Sequence, residues 1–252
     1  MSGLGLLGAA LAGVAAGMVN ALAGGGTLIS FPALTALGLP PLIANLTNTV
    51  ALTPGYLGAA WAQRRDLSGQ CGRVRWLVPA ALLGGLAGGW LLLVSEERLF
   101  TALVPWLILV GSLLLALQDR LGAVVRGRSP SAGRRGLPLL ATVAVALAAV
   151  YGGYFGAGLS VILLAALALS LEDTLVRLSG LKQLLAFATN VSAAVVFMGS
   201  GRVAWDMGLA LAGGAVVGGG LGGGLARRVN GEVLRWVVVG LGLAIGLGLL
   251  LR

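Results

Sequence analysis

The sequence predicts an all-α polytopic membrane protein built of two inverted-topology repeats. Three observations lead to this fold class: 58% of the 252 residues are hydrophobic, only 10% are charged, and the apolar residues form long segments separated by short basic loops. A soluble domain carries roughly 25% charged residues, so this chain has too little polar material to cover a globule in water. The lipid bilayer is therefore the expected partner of most of its surface.

The first apolar segment, residues 4–37, is too long for one upright span. Its 34 residues would make a helix of about 50 Å, and Gly24, Gly25 and Gly26 interrupt it near the middle. This predicts a broken helix that enters the membrane and returns as a hairpin. The segments at 42–63, 76–94 and 99–117 have about 20 residues each, which matches a hydrocarbon core of about 30 Å. Each of these three predicts one transmembrane helix.

The second half of the chain repeats this layout after a basic linker at 118–136, which we place in the cytoplasm. Residues 137–170 form another long segment, broken by glycine at 152–153, at Gly156 and at Gly158. Spans are expected at 178–198, 207–226 and 233–251. We therefore predict two repeats, 1–117 and 137–252, each a glycine-broken helical hairpin followed by three transmembrane helices.

The topology depends on whether each long segment crosses once or returns as a hairpin. The positive-inside rule favours hairpins, because this arrangement leaves only Arg98, Arg202 and Arg252 outside. Single crossings remain the alternative. Since three spans after a hairpin are an odd number of crossings, the second repeat is expected to be inverted relative to the first, a pattern typical of transporters. The N-terminus would then lie outside a cytoplasmic (inner) cell membrane.

Composition excludes several classes of function. The sequence has no histidine and one cysteine, Cys71, so we expect no metal site, no cofactor and no disulfide framework. All eight Asp and Glu residues fall in predicted loops or at span ends, which argues against an intramembrane enzyme because a buried general base is missing. The net charge of +9 is spread over short loops, so it indicates membrane orientation and not nucleic-acid binding.

Lys182 is the one charged residue inside a predicted span. A cation in the membrane without a neighbouring carboxylate requires an anion, which the substrate can supply. The starts of the returning half-helices, at Gly26–Thr27 and Gly158–Ser160, are a second anion-binding feature, because unpaired backbone N–H groups and a positive dipole end are expected there. Alternatively, Lys182 extends to the lipid headgroups, and the glycines only allow close helix packing.

Polar uncharged residues in the apolar segments are the remaining candidates for substrate binding. Such side chains commonly bridge helices in lipid, so a structural role stays open for each. The substrate-binding candidates are Asn20, Gly24, Gly25, Gly26, Thr27, Thr47, Asn48, Gly158, Ser160, Lys182 and Asn190. Tyr151 and Tyr154 flank the second glycine break, where they could gate a cavity.

One stretch of the sequence is similar to a known family. Residues 16–27, AGMVNALAGGGT, are followed by FPAL at 31–34, LGLPP at 37–41 and ANLTN at 44–48. These motifs resemble those of the TauE/SafE family of sulfite exporter-like permeases. The resemblance implies a membrane transporter of small anions, often organosulfur compounds. The family pattern often has lysine after Thr-Asn, where this chain has Thr49, so only the second half keeps a lysine at the similar place.

The sequence therefore predicts a secondary transporter of a small anion. The expected substrate is an exported organosulfur compound or sulfur oxyanion, such as sulfite, a sulfonate or sulfoacetate, bound where the two hairpins meet at the membrane midplane. An anion channel or passive pore fits the same pattern, and so does a structural membrane subunit that transports nothing. The sequence contains no signal for the oligomeric state or for a coupling ion.

Overall fold

Helices account for all of the secondary structure in the residues that the computed structural model describes, which are 3–22, 24–127, 138–225 and 231–251. The first half contains α1 (Gly3–Leu22), α2 (Thr27–Ala36), α3 (Pro41–Ala62), α4 (Cys71–Val94) and α5 (Glu97–Gly127), with a 3-10 turn at Arg64–Leu67. The second half contains α6 (Pro138–Tyr154), α7 (Leu159–Ser170), α8 (Leu175–Gly199), α9 (Trp205–Leu225) and α10 (Gly231–Leu250).

Five of the described helices, α1, α4, α5, α8 and α10, are long and apolar enough to cross a membrane. The outward surface of the bundle carries large apolar side chains, among them Leu83, Leu209 and Val237, which are 60–67% exposed. Contiguous apolar surface of this kind is unfavourable in water, whereas lipid covers it without cost. The prediction of an all-α polytopic membrane protein is confirmed.

The first long segment folds as two antiparallel helices. α1 has 20 residues and α2 has 10. The chain turns between them at Gly24 and Gly25, whose φ angles of 74° and 93° are left-handed and therefore favour glycine. Gly26 packs against α1 near this turn, and Gly8, close to the other end of α1, faces Leu37 beyond the end of α2. The segment therefore returns towards the side from which it entered.

The second long segment has the same form. α6 has 17 residues and α7 has 12, and the turn between them has left-handed φ angles of 81° at Gly156 and 77° at Gly158. Tyr151 of α6 holds the turn, because its hydroxyl donates to the Ala157 carbonyl at 2.7 Å. Each half thus consists of a broken hairpin and the three helices that follow it.

α5 is longer than the span predicted at 99–117. It continues to Gly127, so residues 118–127 of the predicted linker are helical, and residues 128–137 lie outside the described part. The physical reason is that hydropathy marks only the part of a helix that contacts lipid. The stretch QDRLGAVVRG at 118–127 mixes polar and apolar residues, as a helix that leaves the membrane does.

Glycines bring two pairs of helices into backbone contact. Gly13 and Gly17 of α1 face carbonyl groups of α9, and Gly214 and Gly218 of α9 face carbonyl groups of α1. A second contact of this kind between the halves joins α4 to α6, where Gly88 lies against the Val150 carbonyl. Small residues drive helix association in lipid because they let backbones approach closely.

The two halves pack reciprocally. α1 of the first half packs against α9 of the second. In the same way α6, the first helix of the second half, packs against α4 of the first. α3 and α8 are antiparallel. After α3 the chain reaches the start of α8, where Arg177 Nη1 donates to the Ser68 carbonyl at 2.9 Å. After α8 the chain reaches α3, where the Ala204 N–H donates to Thr47 Oγ1 at 3.1 Å. This interlocking places the two glycine breaks next to each other.

Candidate functional site

A cavity of about 160 Å³ lies between the two halves of the protein. It is bounded by the end of α1, the end of α3, α5, the start of α7 and the start of α8. The lining residues are Asn20, Ala21, Gly24, Tyr56, Ala59, Gln63, Gln118, Ser160, Val161, Leu164, Lys182 and Gln183. Gln63 is the first residue of the α3–α4 loop, and α8 begins beside this loop. The cavity therefore lies in the half of the bundle nearest this loop.

The two glycine breaks meet beside this cavity. A narrow space of about 10 Å³ between them adjoins the larger cavity at Tyr56, Gln118 and Ser160, and it has room for roughly one water molecule. Its walls include Gly24, Gly25 and Thr27 of the first break and Gly156, Gly158 and Ser160 of the second. Both breaks therefore border one continuous space.

Several N–H groups at the first break already donate hydrogen bonds to acceptors within the protein. The Gly26 N–H points to Asn20 Oδ1 at 3.4 Å, and the N–H groups of Leu28 and Ser30 donate to carbonyls of the turn. The set of free N–H groups expected after Gly26 is thus smaller than the sequence indicated, because the turn itself uses them. Asn20 has two roles: its Oδ1 accepts the hydrogen bond from Gly26 at the turn, and the residue also lines the cavity.

Lys182 lines the cavity as the eighth residue of α8 and is the only lysine in the sequence. Asp173 pairs with Arg73 and with Arg177, and Lys182 has no ion pair with a described residue. Its ammonium group is therefore a positive charge beside the cavity without a carboxylate partner in the part of the chain that the structure describes.

Sequence reasoning missed Tyr56, Gln63 and Gln118, which also line the cavity. Tyr56 lies close to the side chain of Asn20. Gln63 follows the last residue of α3, and Gln118 falls one residue beyond the predicted span 99–117. Gln63 is the last residue of the predicted span 42–63, whereas a search restricted to polar residues inside the predicted segments excludes Gln118. The only available signal was their position next to the span ends.

Three of the predicted substrate-binding residues bond elsewhere and do not line the cavity. Thr47 Oγ1 accepts the Ala204 N–H, Asn48 Oδ1 accepts the Ser30 hydroxyl of α2, and Asn190 Nδ2 donates to the Ala186 carbonyl at 2.8 Å. Polarity within a span shows that a side chain needs a partner. It does not show which face of the helix the side chain occupies.

Tyr154, one of the two predicted gating residues, belongs to a closed region on the far side of the second break. An aromatic cluster is formed there by Phe31, Phe100, Tyr154 and Phe155, with ring centroids 5.2–6.3 Å apart. Asn45 Nδ2 of α3 donates to the Tyr154 carbonyl at 2.9 Å. Because Phe100 lies in the first turn of α5, this cluster is at the opposite end of α4 from the cavity.

A group of charged and polar residues joins the two halves at the end of the protein nearest the cavity. Asp173, between α7 and α8, pairs with Arg73 of α4 and with Arg177 Nε of α8, the latter at 3.0 Å. Partial burial raises the pKa of Asp173, but the hydrogen bonds from both arginines outweigh it and hold this pKa below its ordinary value. Gln70, which is buried, donates to the Arg177 carbonyl at 3.1 Å.

Comparison with known proteins gives a match along almost the whole chain. The sequence model of the family described as "Sulfite exporter TauE/SafE" matches residues 9–249. No solved structure matches the chain.

Several curated bacterial proteins are also similar. A probable membrane transporter protein of Haemophilus influenzae is 26% identical over 227 residues, which cover 90% of this chain and 87% of the relative. The probable membrane transporter protein ORF9 of a Sinorhizobium species is 25% identical, with 93% and 88% coverage. The probable membrane transporter protein YfcA of Escherichia coli K12 is 25% identical, with 89% and 81% coverage.

Proposed function

Because the chain belongs to the sulfite exporter TauE/SafE family, we propose that it is a secondary transporter that exports a small anion. The cargo is an organosulfur compound or a sulfur oxyanion, such as sulfite, a sulfonate or sulfoacetate. The observation that carries this proposal is the position of Lys182. The only lysine of the chain lines a cavity between the two halves, beside both glycine breaks.

An anion in this cavity would offset the electrostatic cost of Lys182. A partly buried ammonium group loses hydration, and an opposite charge within contact distance compensates for that loss. Asn20, Tyr56 and Ser160 line the same cavity and can donate hydrogen bonds to an oxyanion. Gly24, Gly25 and Gly158 line the adjoining space between the breaks and keep side-chain bulk away from the ligand, and Thr27 lines the same space.

The position of this cavity at one end of the bundle favours a carrier over an open pore. The cavity lies near the α3–α4 loop, whereas the aromatic cluster and the Asn45–Tyr154 hydrogen bond fill the opposite end. We assign the gate to this region: Tyr154 would separate from Asn45 and Phe100 when the far side opens. Tyr151 would keep the second break in shape through its bond to Ala157.

We further propose that the two repeats have inverted orientations in a cytoplasmic membrane. The antiparallel arrangement of α3 and α8 supports this, because equivalent helices of inverted repeats run in opposite directions. The α3–α4 loop carries Arg64 and Arg65, and Arg73 and Arg75 follow at the start of α4, so the positive-inside rule places this loop in the cytoplasm. The cavity would then face the cytoplasm and the N-terminus would lie outside.

The first experiment is thermal unfolding of the purified protein with sulfite, isethionate, sulfoacetate, sulfate, lactate and chloride. A ligand at about 100 times its Kd adds roughly 2.7 kcal/mol to the stability of the folded state, so a bound anion raises the Tm. We expect at least one sulfur anion to do so in the wild type and not in Lys182→Ala. Arg202→Ala, which removes an exposed cation remote from the cavity, is the matched control and should keep the shift.

A second readout separates loss of binding from loss of folding. Amine-selective reagents have one target side chain in this protein, Lys182, besides the N-terminal amine. The anion that raises the Tm should slow the modification of Lys182 and leave that of the N-terminus unchanged. Equal rates with and without the anion would show that Lys182 does not contact the cargo.

Counterflow in proteoliposomes distinguishes a carrier from a passive pore. Unlabelled anion inside the vesicles should accelerate uptake of labelled anion, because a carrier exchanges one for the other as its cavity faces alternate sides. Uptake that is independent of the internal anion would support a pore.

A further inference from the structure

We propose that the cavity selects anions with a single negative charge over dianions. The preferred cargo would be a sulfonate with an uncharged polar substituent, or an oxyanion that retains one proton. This inference rests on the proposed function, because it concerns which anions the same cavity accepts.

The charge of the cavity lining is the first observation. Lys182 is the only Lys or Arg among the lining residues, and none of them is Asp or Glu. Four of the remaining residues are neutral amides, namely Asn20, Gln63, Gln118 and Gln183. The described lining therefore supplies one positive charge, and it can neutralise one negative charge on a ligand.

The position related to Lys182 in the first half is the second observation. Lys182 is the eighth residue of α8, and Asn48 is the eighth residue of α3. Asn48 is neutral and buried, and its Oδ1 accepts the Ser30 hydroxyl of the first hairpin. Thr49, which follows it, is also buried and neutral. No second cation is thus available from the corresponding place in the other half.

The third observation concerns a polar group that α5 contributes to the cavity wall. Gln118 of α5 lines both the cavity and the narrow space between the breaks, and its Oε1 is a buried acceptor without a partner in the described residues. A second anionic group on the ligand would meet this acceptor, or amides that give no compensating charge. A hydroxyl or a protonated oxygen would instead satisfy it by donating a hydrogen bond.

Isethionate and sulfoacetate are matched probes for this proposal. Both have a sulfonate on a two-carbon chain, which ends in a hydroxyl in isethionate and in a carboxylate in sulfoacetate. We expect the wild-type protein at neutral pH to bind isethionate at least about tenfold more tightly, as measured by calorimetry on the purified protein. Equal or tighter binding of sulfoacetate would overturn the charge selectivity and leave the proposed anion transport standing. Absence of binding by either anion and by sulfite would instead overturn the proposed function.

A charge-adding variant tests the cause of the preference. Gln118→Lys supplies a second cation and should move the affinity ratio towards sulfoacetate by about tenfold or more. Gln118→Met removes the Oε1 acceptor without adding charge, so it should weaken the binding of isethionate without raising the affinity for sulfoacetate. If Gln118→Lys does not fold, Gln183→Lys places the second cation on the cavity wall beside Lys182. A folded lysine variant with an unchanged ratio would overturn the proposal that charge count sets the selectivity.

Discussion

Lys182 illustrates how much a single residue depends on its neighbours. The sequence marks it as a cation within an apolar span, and two environments are compatible with that position: a substrate cavity and the lipid headgroups. The structure places it on the cavity wall together with Asn20, Gln183 and Ser160. The distinction matters because an ammonium group in the headgroup region is already compensated, whereas one in a cavity between helices attracts a ligand anion.

Asp173 leads to a prediction about pH at the same scale. Its folded-state pKa is lowered by Arg73 and Arg177, so its ion pairs stabilise the folded protein above the unfolded carboxyl pKa of about 3.9. This contribution is lost as the pH falls from about 4 through the lower folded-state value. We expect Asp173→Asn to reduce stability at neutral pH by about 1 kcal/mol or less, with the difference from wild type vanishing in acid.

The measurement for Asp173→Asn is the Tm as a function of pH. Glu96→Gln is the control, because Glu96 is exposed and forms no ion pair among the described residues. A constant difference between wild type and Asp173→Asn at all pH values would contradict the assigned role of the carboxylate.

At the scale of helices, glycine has two separate functions in this protein. At the two breaks, positive φ angles at Gly24, Gly25, Gly156 and Gly158 reverse the chain inside the bundle. Along α1, α4, α6 and α9, glycine removes the side chain where two backbones meet. The sequence shows the abundance of glycine but assigns neither function, because the first requires the dihedral angles and the second requires the partner helix.

Substitutions in α9 test the packing function. A Cβ at Gly218 would collide with the Val14 carbonyl oxygen of α1, whereas a Cβ at Gly213 of the same helix would meet open space. We expect Gly218→Ala to lower stability by about 1–3 kcal/mol, a typical cost of overpacking, and Gly213→Ala to have little effect. Thermal unfolding of both variants in the same detergent gives the comparison. Equal Tm values would show that α1 and α9 can separate without cost.

At the scale of the whole molecule, the reciprocal packing of the halves brings both breaks to one place and leaves the two ends of the bundle different. One end has the cavity and the ion pairs of Asp173. The other end has the aromatic cluster. Transport as we propose it would require the aromatic end to open while the cavity end closes, so the aromatic contacts would break in that step.

The orientation of the molecule can be tested with its only cysteine. Cys71 is exposed at the start of α4, next to the basic α3–α4 loop. If this loop is cytoplasmic, a membrane-impermeant maleimide should label Cys71 in inverted membrane vesicles and not in intact cells. The control Cys71→Ser/Arg202→Cys, with its thiol at the other end of the bundle, should show the reverse. Labelling of Cys71 in intact cells would contradict the proposed orientation.

The sequence by itself determined the class of the protein. Apolar segment length and the shortage of charge identified a polytopic helical membrane protein, because the bilayer allows few alternatives to a helix of about 20 apolar residues. The glycine interruptions marked the two breaks, and the resemblance of residues 16–48 indicated the TauE/SafE family. The ends of helices were harder to predict, as the extension of α5 to Gly127 shows. Hydropathy reports contact with lipid and not the residue at which the backbone hydrogen bonds of a helix end.

Only the tertiary structure decided which polar residues share a cavity. Asn20, Gly24, Ser160 and Lys182 come together as the sequence suggested, while Thr47, Asn48 and Asn190 bond elsewhere. Tyr56, Gln63 and Gln118 also line the cavity, although the sequence did not single them out. The physical reason is that a polar side chain in lipid must find a partner, but the partner comes from another helix, and the sequence does not state how the helices are rotated against one another.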